Sequence, residues 1–227
     1  MAILTASRRT AKHKMRSADR GRAFRRRLLA WYTRHARTLP WRGARSAYAV
    51  LVSEIMLQQT QVARVLDYYP RFLARYPTLE DLAAAPDDAV RESWAGLGYY
   101  ARARNLHATA RRVVAEHGGV LPRAPEALRQ LPGIGRYTAG AVASLAFGAR
   151  VPAVDTNAAR VIARIFGLRA GRTRARRVWE IAATLVGPGR PEDVNQALMD
   201  LGATVCGARR PRCEGCPVRR VCASCDA

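Results

Sequence analysis

Two acids and a group of cysteines have types and surroundings that suit chemistry. Asp155 closes the apolar run VPAV (residues 151–154) and opens the helical segment TNAARVIARIF. Aspartate there fits a helix N-cap, and a carboxylate that caps a helix is held ionised. A fixed negative charge beside a sugar is what an oxocarbenium-like transition state needs. Glu54 stands at helical spacing from Val50, Leu51 and Leu57, on an apolar stripe. Burial away from a basic partner favours the protonated form of such a group. One acid held charged and one held protonated is the division of labour for cleaving a glycosidic bond. Spacing alone does not bring the two together.

The cysteines are all at one end. Cys206, Cys213, Cys216 and Cys222 follow a C-x6-C-x2-C-x5-C pattern, and Cys225 makes a further C-x2-C with Cys222. The preceding 205 residues contain none, which points to a metal rather than to disulfides. Zinc held by Cys213, Cys216, Cys222 and Cys225 is chemically reasonable. A [4Fe–4S] cluster also takes four thiolates, and spacing does not choose between them. Arg209, Arg210 and Arg212 fill the loop between the first two cysteines. A basic loop pinned by a metal makes a rigid phosphate contact.

The stretch LPGIGRYTAG (residues 131–140) lies between a short helix expected at Pro125–Gln130 and a second at Tyr137–Phe147. Gly133 and Gly135 permit a tight turn and close backbone approach. Amides at the start of the second helix can point outward, where the helix dipole favours an anion. An ordinary helix–helix connector has the same outline. The formal net charge of +22 favours a polyanionic partner over a small metabolite. Ten of the first 27 residues are Lys or Arg, and residues 1–22 are expected to form a basic, disordered tail, either solvated or a nonspecific nucleic-acid arm. No apolar run approaches 18 residues, and Ala2–Leu4 is too short for a signal-peptide core, so a soluble intracellular protein is expected.

The elements that must position these residues read as helices nearly throughout, an all-α fold without a convincing period-two strand. Helices are expected at about Ala23–His35 and, after an extended Leu39–Trp41 link, at about Ala47–Leu66. Later ones open at Thr78, Asp87 and Pro125, with Thr78 and Asp81 spaced as a capping box. HGGVLP (residues 117–122) is a helix stop. Short loops favour two compact lobes. The expected division gives residues 23–44 and 151–227 to a cysteine lobe, and residues 45–150 to a six-helix lobe holding the hairpin at 125–147.

Together these parts resemble the helix-hairpin-helix (HhH-GPD) DNA glycosylase superfamily, from about Leu28 to Cys222. The hairpin, VDTN (residues 154–157) and the cysteine spacing carry the resemblance, while SEIMLQQTQV (residues 53–62) and GLGYYARARNLH (residues 96–107) look like the MutY branch. The resemblance implies that Asp155 stabilises the sugar cation, supported by Asn157, and that Glu54 protonates adenine N7 and then handles water. Gln58 and Tyr99 would enter the DNA stack beside the extruded nucleotide, with Gln59, Arg160, Gly133 and Gly135 also at the DNA. Read without the family, Tyr99 is a core aromatic and Gln58 an ordinary exposed helix position. Cys206, Cys213, Cys216 and Cys222 would ligate a [4Fe–4S] cluster, leaving Cys225 spare.

Tyr137 stands where lyase-competent relatives carry a lysine, and tyrosine cannot form a Schiff base. The chain has no lysine after Lys14. A monofunctional glycosylase is therefore expected, removing adenine opposite 8-oxoguanine or guanine in double-stranded DNA. It is expected to be a cytoplasmic monomer, associated with the nucleoid through DNA and not with a membrane. Tyr137 is equally compatible with the Mig-type glycosylases, which remove thymine or uracil from G·T and G·U mismatches. A pyrimidine anion leaves without N7 protonation, so Glu54 would then serve chiefly water. VDTN replaces the commoner VDGN, and Ala227 follows Cys222 by five residues. A short form without the C-terminal 8-oxoguanine-reading domain is expected.

Overall fold

The computed structural model describes residues 17–43 and 46–225, so most of the basic tail lies outside the described residues. Among the described residues the secondary structure is helical, with no strand. None of these helices is long and apolar enough to cross a membrane. The chain divides into two compact units, Met1–Arg37 with Arg150–Ala227, and Thr38–Ala149.

In chain order, the first unit contributes α1 (Ser17–His35). The second holds α2 (Ala47–Leu57), α3 (Val62–Arg75), α4 (Leu79–Ala84), α5 (Asp87–Ser93), α6 (Ala101–His117), α7 (Pro125–Leu128) and α8 (Arg136–Phe147). The first unit resumes with α9 (Thr156–Phe166), α10 (Arg174–Leu185), α11 (Pro191–Thr204) and a 3-10 turn at Arg219–Val221. Residues 17–22, expected in the tail, are the opening turns of α1. Asp19 in the first turn suits the positive end of the helix dipole and pairs with Arg22.

In the first unit α9 packs against α10 and α11, and α11 against α1. Phe24 and Leu28 from α1 meet Val161, Ile162, Leu185, Leu198 and Leu201 in one core. Each such side chain contributes about 1.5–3 kcal/mol by leaving water. Asp200, fully buried, accepts from the Arg37 backbone N at 3.1 Å and Nε at 2.6 Å. Gly202 lets α11 come close to the first turn of α9: a Cβ there would lie 2.6 Å from Asn157 Cβ and 2.9 Å from its carbonyl oxygen.

In the second unit α2 is the central element. Every residue from Tyr48 to Met56 is buried, not one stripe alone, because α8 and α3 both pack on it. Around it Phe72, Trp94, Leu106 and Leu128 complete the core. The expected capping box forms, with Thr78 Oγ1 accepting from Asp81 N at 3.1 Å and Asp81 Oδ2 from Thr78 N at 3.0 Å. Gly118, at φ 57°, ends α6 within HGGVLP.

The single helix expected from Ala47 to Leu66 is two. It stops at Leu57 and resumes at Val62, although QQTQ contains neither glycine nor proline. The break has a tertiary cause. Arg102 on α6 donates to the carbonyls of Ile55, Met56 and Gln58, all three of which a continued helix would give to its next turn.

Helix propensity alone makes Gly202→Ala stabilising by about 1 kcal/mol. The contact with Asn157 backbone reverses the sign, because neither packed helix can retreat without opening the core. Gly202→Ala is expected to destabilise by about 1–3 kcal/mol in urea unfolding.

Candidate active site and nucleic-acid interface

In the first unit Asp155 is the N-cap of α9, as its place in the sequence indicated. Oδ1 accepts from Ala158 N at 2.6 Å, and Oδ2 accepts from Asn157 Nδ2 at 3.0 Å. Arg160 Nη2 donates to Asn157 Oδ1 at 2.6 Å, which sets the amide so that its nitrogen faces Asp155. Both oxygens of a half-buried carboxylate are thus held at the positive end of a helix. Arg160, expected at the DNA, also donates to Cys206 O and Gly202 O, each at 2.8 Å. Its bonds inside the unit give it the work of orienting Asn157.

Arg164, one turn further along α9, was not singled out by the sequence reading. It donates to Gly207 O at 2.7 Å, Ala208 O at 2.9 Å and Cys206 Sγ at 3.4 Å. The i, i+4 arginine pair was its available signal. Together Arg160 and Arg164 bind the helix capped by Asp155 to the start of the cysteine segment.

All five cysteines line one pocket of about 100 Å³, together with Val161, Ile165, Leu201, Val205 and Val218. Burial pushes the Cys222 thiol up to about 11 and raises that of Cys216. A metal would have to displace those protons on binding. Among the described residues, no three His, Cys, Asp or Glu side chains group closely enough to hold an ion.

In the second unit Glu54 is buried in the middle of α2, only 4% exposed. One turn on, Gln58 caps the helix and is half-buried, its Nε2 donating to Thr138 Oγ1 on α8 at 3.2 Å. Its bland reading as an exposed helix position does not hold. Gln59 is exposed, with φ 54°. Tyr99 is 60% exposed with φ 48°, so it is no core aromatic. Tyr137, half-buried, is in the first turn of α8.

The two hairpin glycines differ. Gly133 has φ 71°, and a Cβ there would meet the Asn105 side chain at 2.6–2.9 Å. Gly135 is the N-cap of α8, in extended backbone that any residue adopts, and a Cβ there would meet nothing within 4 Å. No side chain caps that helix end. Gly135 has no side chain of its own to occupy that helix start, where the helix dipole favours an anion. From α6, Thr109 Oγ1 donates to Pro132 O and Arg112 Nη1 to Gln130 O, both at 2.9 Å.

A family profile described as "HhH-GPD superfamily base excision DNA repair protein" matches residues 52–186. An adenine DNA glycosylase of Rattus norvegicus is 52% identical over 212 residues, covering 88% of this chain and 41% of that protein. One from Mycolicibacterium smegmatis is 45% identical over 193 residues, covering 84% and 66%. This chain therefore spans about two fifths of its mammalian relative. The solved structure of a thermostable thymine-DNA glycosylase superposes with a TM-score of 0.85 at 34% identity, covering 92% of this chain and 98% of that one.

The contrast between the glycines is measurable. Gly133→Ala is expected to destabilise by about 2 kcal/mol or more, through left-handed strain and the Asn105 overlap. Gly135→Ala should cost less than about 1 kcal/mol, the difference between Gly and Ala at an N-cap. Chemical denaturation of both variants checks the order.

Proposed function

The chain belongs to the HhH-GPD superfamily of base excision DNA repair proteins, and from that footing we propose that it is a monofunctional adenine DNA glycosylase. Its substrate is double-stranded DNA with adenine opposite 8-oxoguanine or guanine. The observation that carries the chemistry is the contrast between its two carboxyl groups. Glu54 is buried in the middle of α2, whereas Asp155 is half-buried and both of its oxygens accept hydrogen bonds at a helix N-terminus.

Glu54 gives its proton to adenine N7, which makes the base a neutral leaving group. The C1′–N9 bond breaks, and its electron pair leaves with adenine. Asp155 stabilises the sugar cation electrostatically. Water adds to C1′ as Glu54 takes back a proton, so the products are free adenine and an abasic site. Asn157 and Arg160 keep Asp155 in one orientation. Tyr137 offers no amine for strand cleavage.

On the DNA side, the glycine-preceded start of α8 at Gly135 takes a backbone phosphate, favoured by the helix dipole. Gln58, Gln59 and Tyr99 enter the stack beside the extruded nucleotide.

Cys206, Cys213, Cys216 and Cys222 hold a [4Fe–4S] cluster in this reading. Five thiols line one pocket with Val161, Ile165, Leu201, Val205 and Val218, and a cluster that takes four thiolates could be held among them. A bound cluster would give the Arg209–Arg212 loop a fixed support from which to contact phosphate.

A second reading, removal of thymine or uracil opposite guanine, is favoured by the near-complete superposition on a thymine-DNA glycosylase. The 45–52% identities to adenine glycosylases weigh the other way.

Duplexes carrying A·8-oxoguanine, A·G, T·G or U·G, followed by alkali, separate the two. Release of adenine alone is expected, and release of thymine or uracil alone would overturn the assignment. Glu54→Gln and Asp155→Asn should each lower single-turnover release by at least about 100-fold. Asp155→Asn should keep duplex affinity. No borohydride-trapped adduct is expected, and a trapped adduct would mean lyase chemistry.

Iron content and visible absorbance test the metal. Cys206→Ala should lose the iron, while Cys225→Ser should keep it. Gly135→Ala should weaken duplex binding and flatten its salt dependence, each lost phosphate contact being worth about 0.9 in the log–log slope.

A further inference from the structure

The segments that carry Gln58, Gln59 and Tyr99 converge on one buried side chain. Arg102, the second residue of α6, is 8% exposed. Its Nη1 donates to the carbonyl oxygens of Ile55 (3.0 Å), Met56 (2.7 Å) and Gln58 (2.5 Å). Its Nη2 donates to Thr60 Oγ1 (2.9 Å), Leu97 O (3.2 Å) and Gly98 O (3.1 Å). One guanidinium thus closes the end of α2, the 58–60 turn and the turn before Tyr99. Its charge sits where the leftover carbonyls of α2 collect.

The same group contacts two rings. Its central carbon lies 5.5 Å from the Trp94 ring centroid and 5.6 Å from that of Tyr99. Trp94 is fully buried and Tyr99 mostly exposed, so the cation ties a surface ring to the core.

Backbone conformation supplies a second observation. Among the described non-glycine residues, Gln59 and Tyr99 alone have positive φ. A left-handed conformation of this kind persists only where its surroundings over-determine it. Each residue directly follows an Arg102 acceptor, Gln59 after Gln58 and Tyr99 after Gly98.

We propose that Arg102 is the positioning residue for base extrusion, holding the Gln58–Thr60 turn and the Tyr99 turn as one rigid two-pronged wedge formed before DNA arrives. The inference rests on the base-excision reading above. A preformed wedge avoids the ordering cost that two mobile turns would add on binding. Lysine cannot replace it, because a compact ammonium on a flexible stem does not fork to two sets of acceptors.

The test uses the whole chain with Arg102→Lys, and Thr60→Val as a milder second variant. Hydrogen exchange without DNA should show amides 57–61 and 97–100 opening at least about tenfold faster in Arg102→Lys. The hairpin amides of Leu131 and residues 133–136 should exchange near the wild-type rate. Single-turnover base release should fall about 100-fold with duplex affinity changed far less, as expected for misplacement of a bound base. The fluorescence rise of 2-aminopurine placed at the target position, which reports extrusion, should be lost. Thr60→Val should move each readout in the same direction by less.

Unchanged exchange in the two turns overturns the proposal. So does exchange that quickens uniformly through the unit together with a lower unfolding midpoint, since that marks a general packing role. If Arg102→Lys does not fold, the pattern in Thr60→Val decides by the same criteria. If the wild-type chain releases no base from any duplex, the assigned activity falls, and the exchange pattern still decides whether Arg102 rigidifies the wedge.

Discussion

One face of α6 sets the geometry of the second unit's functional loops. Arg102, Asn105, Thr109 and Arg112 are spaced three, four and three residues apart, which stacks them on one side of a helix. At 1.5 Å per residue the stripe is about 15 Å long. Its first member holds the turns after α2 and before α6. Its other members hold the hairpin, through Gly133, Pro132 and Gln130. Loops without regular hydrogen bonding must satisfy their carbonyls somewhere, and here a single rigid rod supplies the donors for both. The spacing between the Gln58 and Tyr99 turns and the hairpin is therefore inherited from a helix rather than from the loops.

The first unit solves a similar problem with a capping network. Asp155 Oδ1 caps the start of α9 at Ala158 N, and Asn157, itself set by Arg160, fixes Oδ2, so the carboxylate has one orientation. The arrangement depends on close approach of α11, which only a residue without a side chain allows at Gly202. Arg160 and Arg164 then extend the same scaffold to the backbone around Cys206. Carboxylate and cysteine pocket thus share one supporting helix, so disturbance at the pocket reaches Asp155 through two side chains.

Much of this was legible from residue types. Asp155 as an N-cap needed only its place between an apolar run and a helical segment. The Thr78–Asp81 box and the Gly118 stop form as their spacing indicated. The misreadings share a cause. Ala47–Leu66 has the composition of one helix, and its break is imposed by Arg102 from 44 residues away along the chain for Gln58. Tyr99 and Gln58 both have ambiguous types, and their exposure and partners follow from how distant segments meet. The glycines of the hairpin looked equivalent as letters, yet only Gly133 requires its missing side chain.

By itself, the sequence determined the helical class, the capping of the helix after Asp155, the clustering of the cysteines and the absence of an internal lysine. These are local or compositional properties, set by side-chain chemistry and by neighbours within one or two turns. Only the tertiary structure decided that α2 ends at Leu57, that all of its faces are buried, and that Arg160 turns inward. It also decided that two left-handed residues far apart in sequence share one clamp. Those outcomes depend on which carbonyls are left without partners once helices pack, and a guanidinium can collect several of them only in three dimensions.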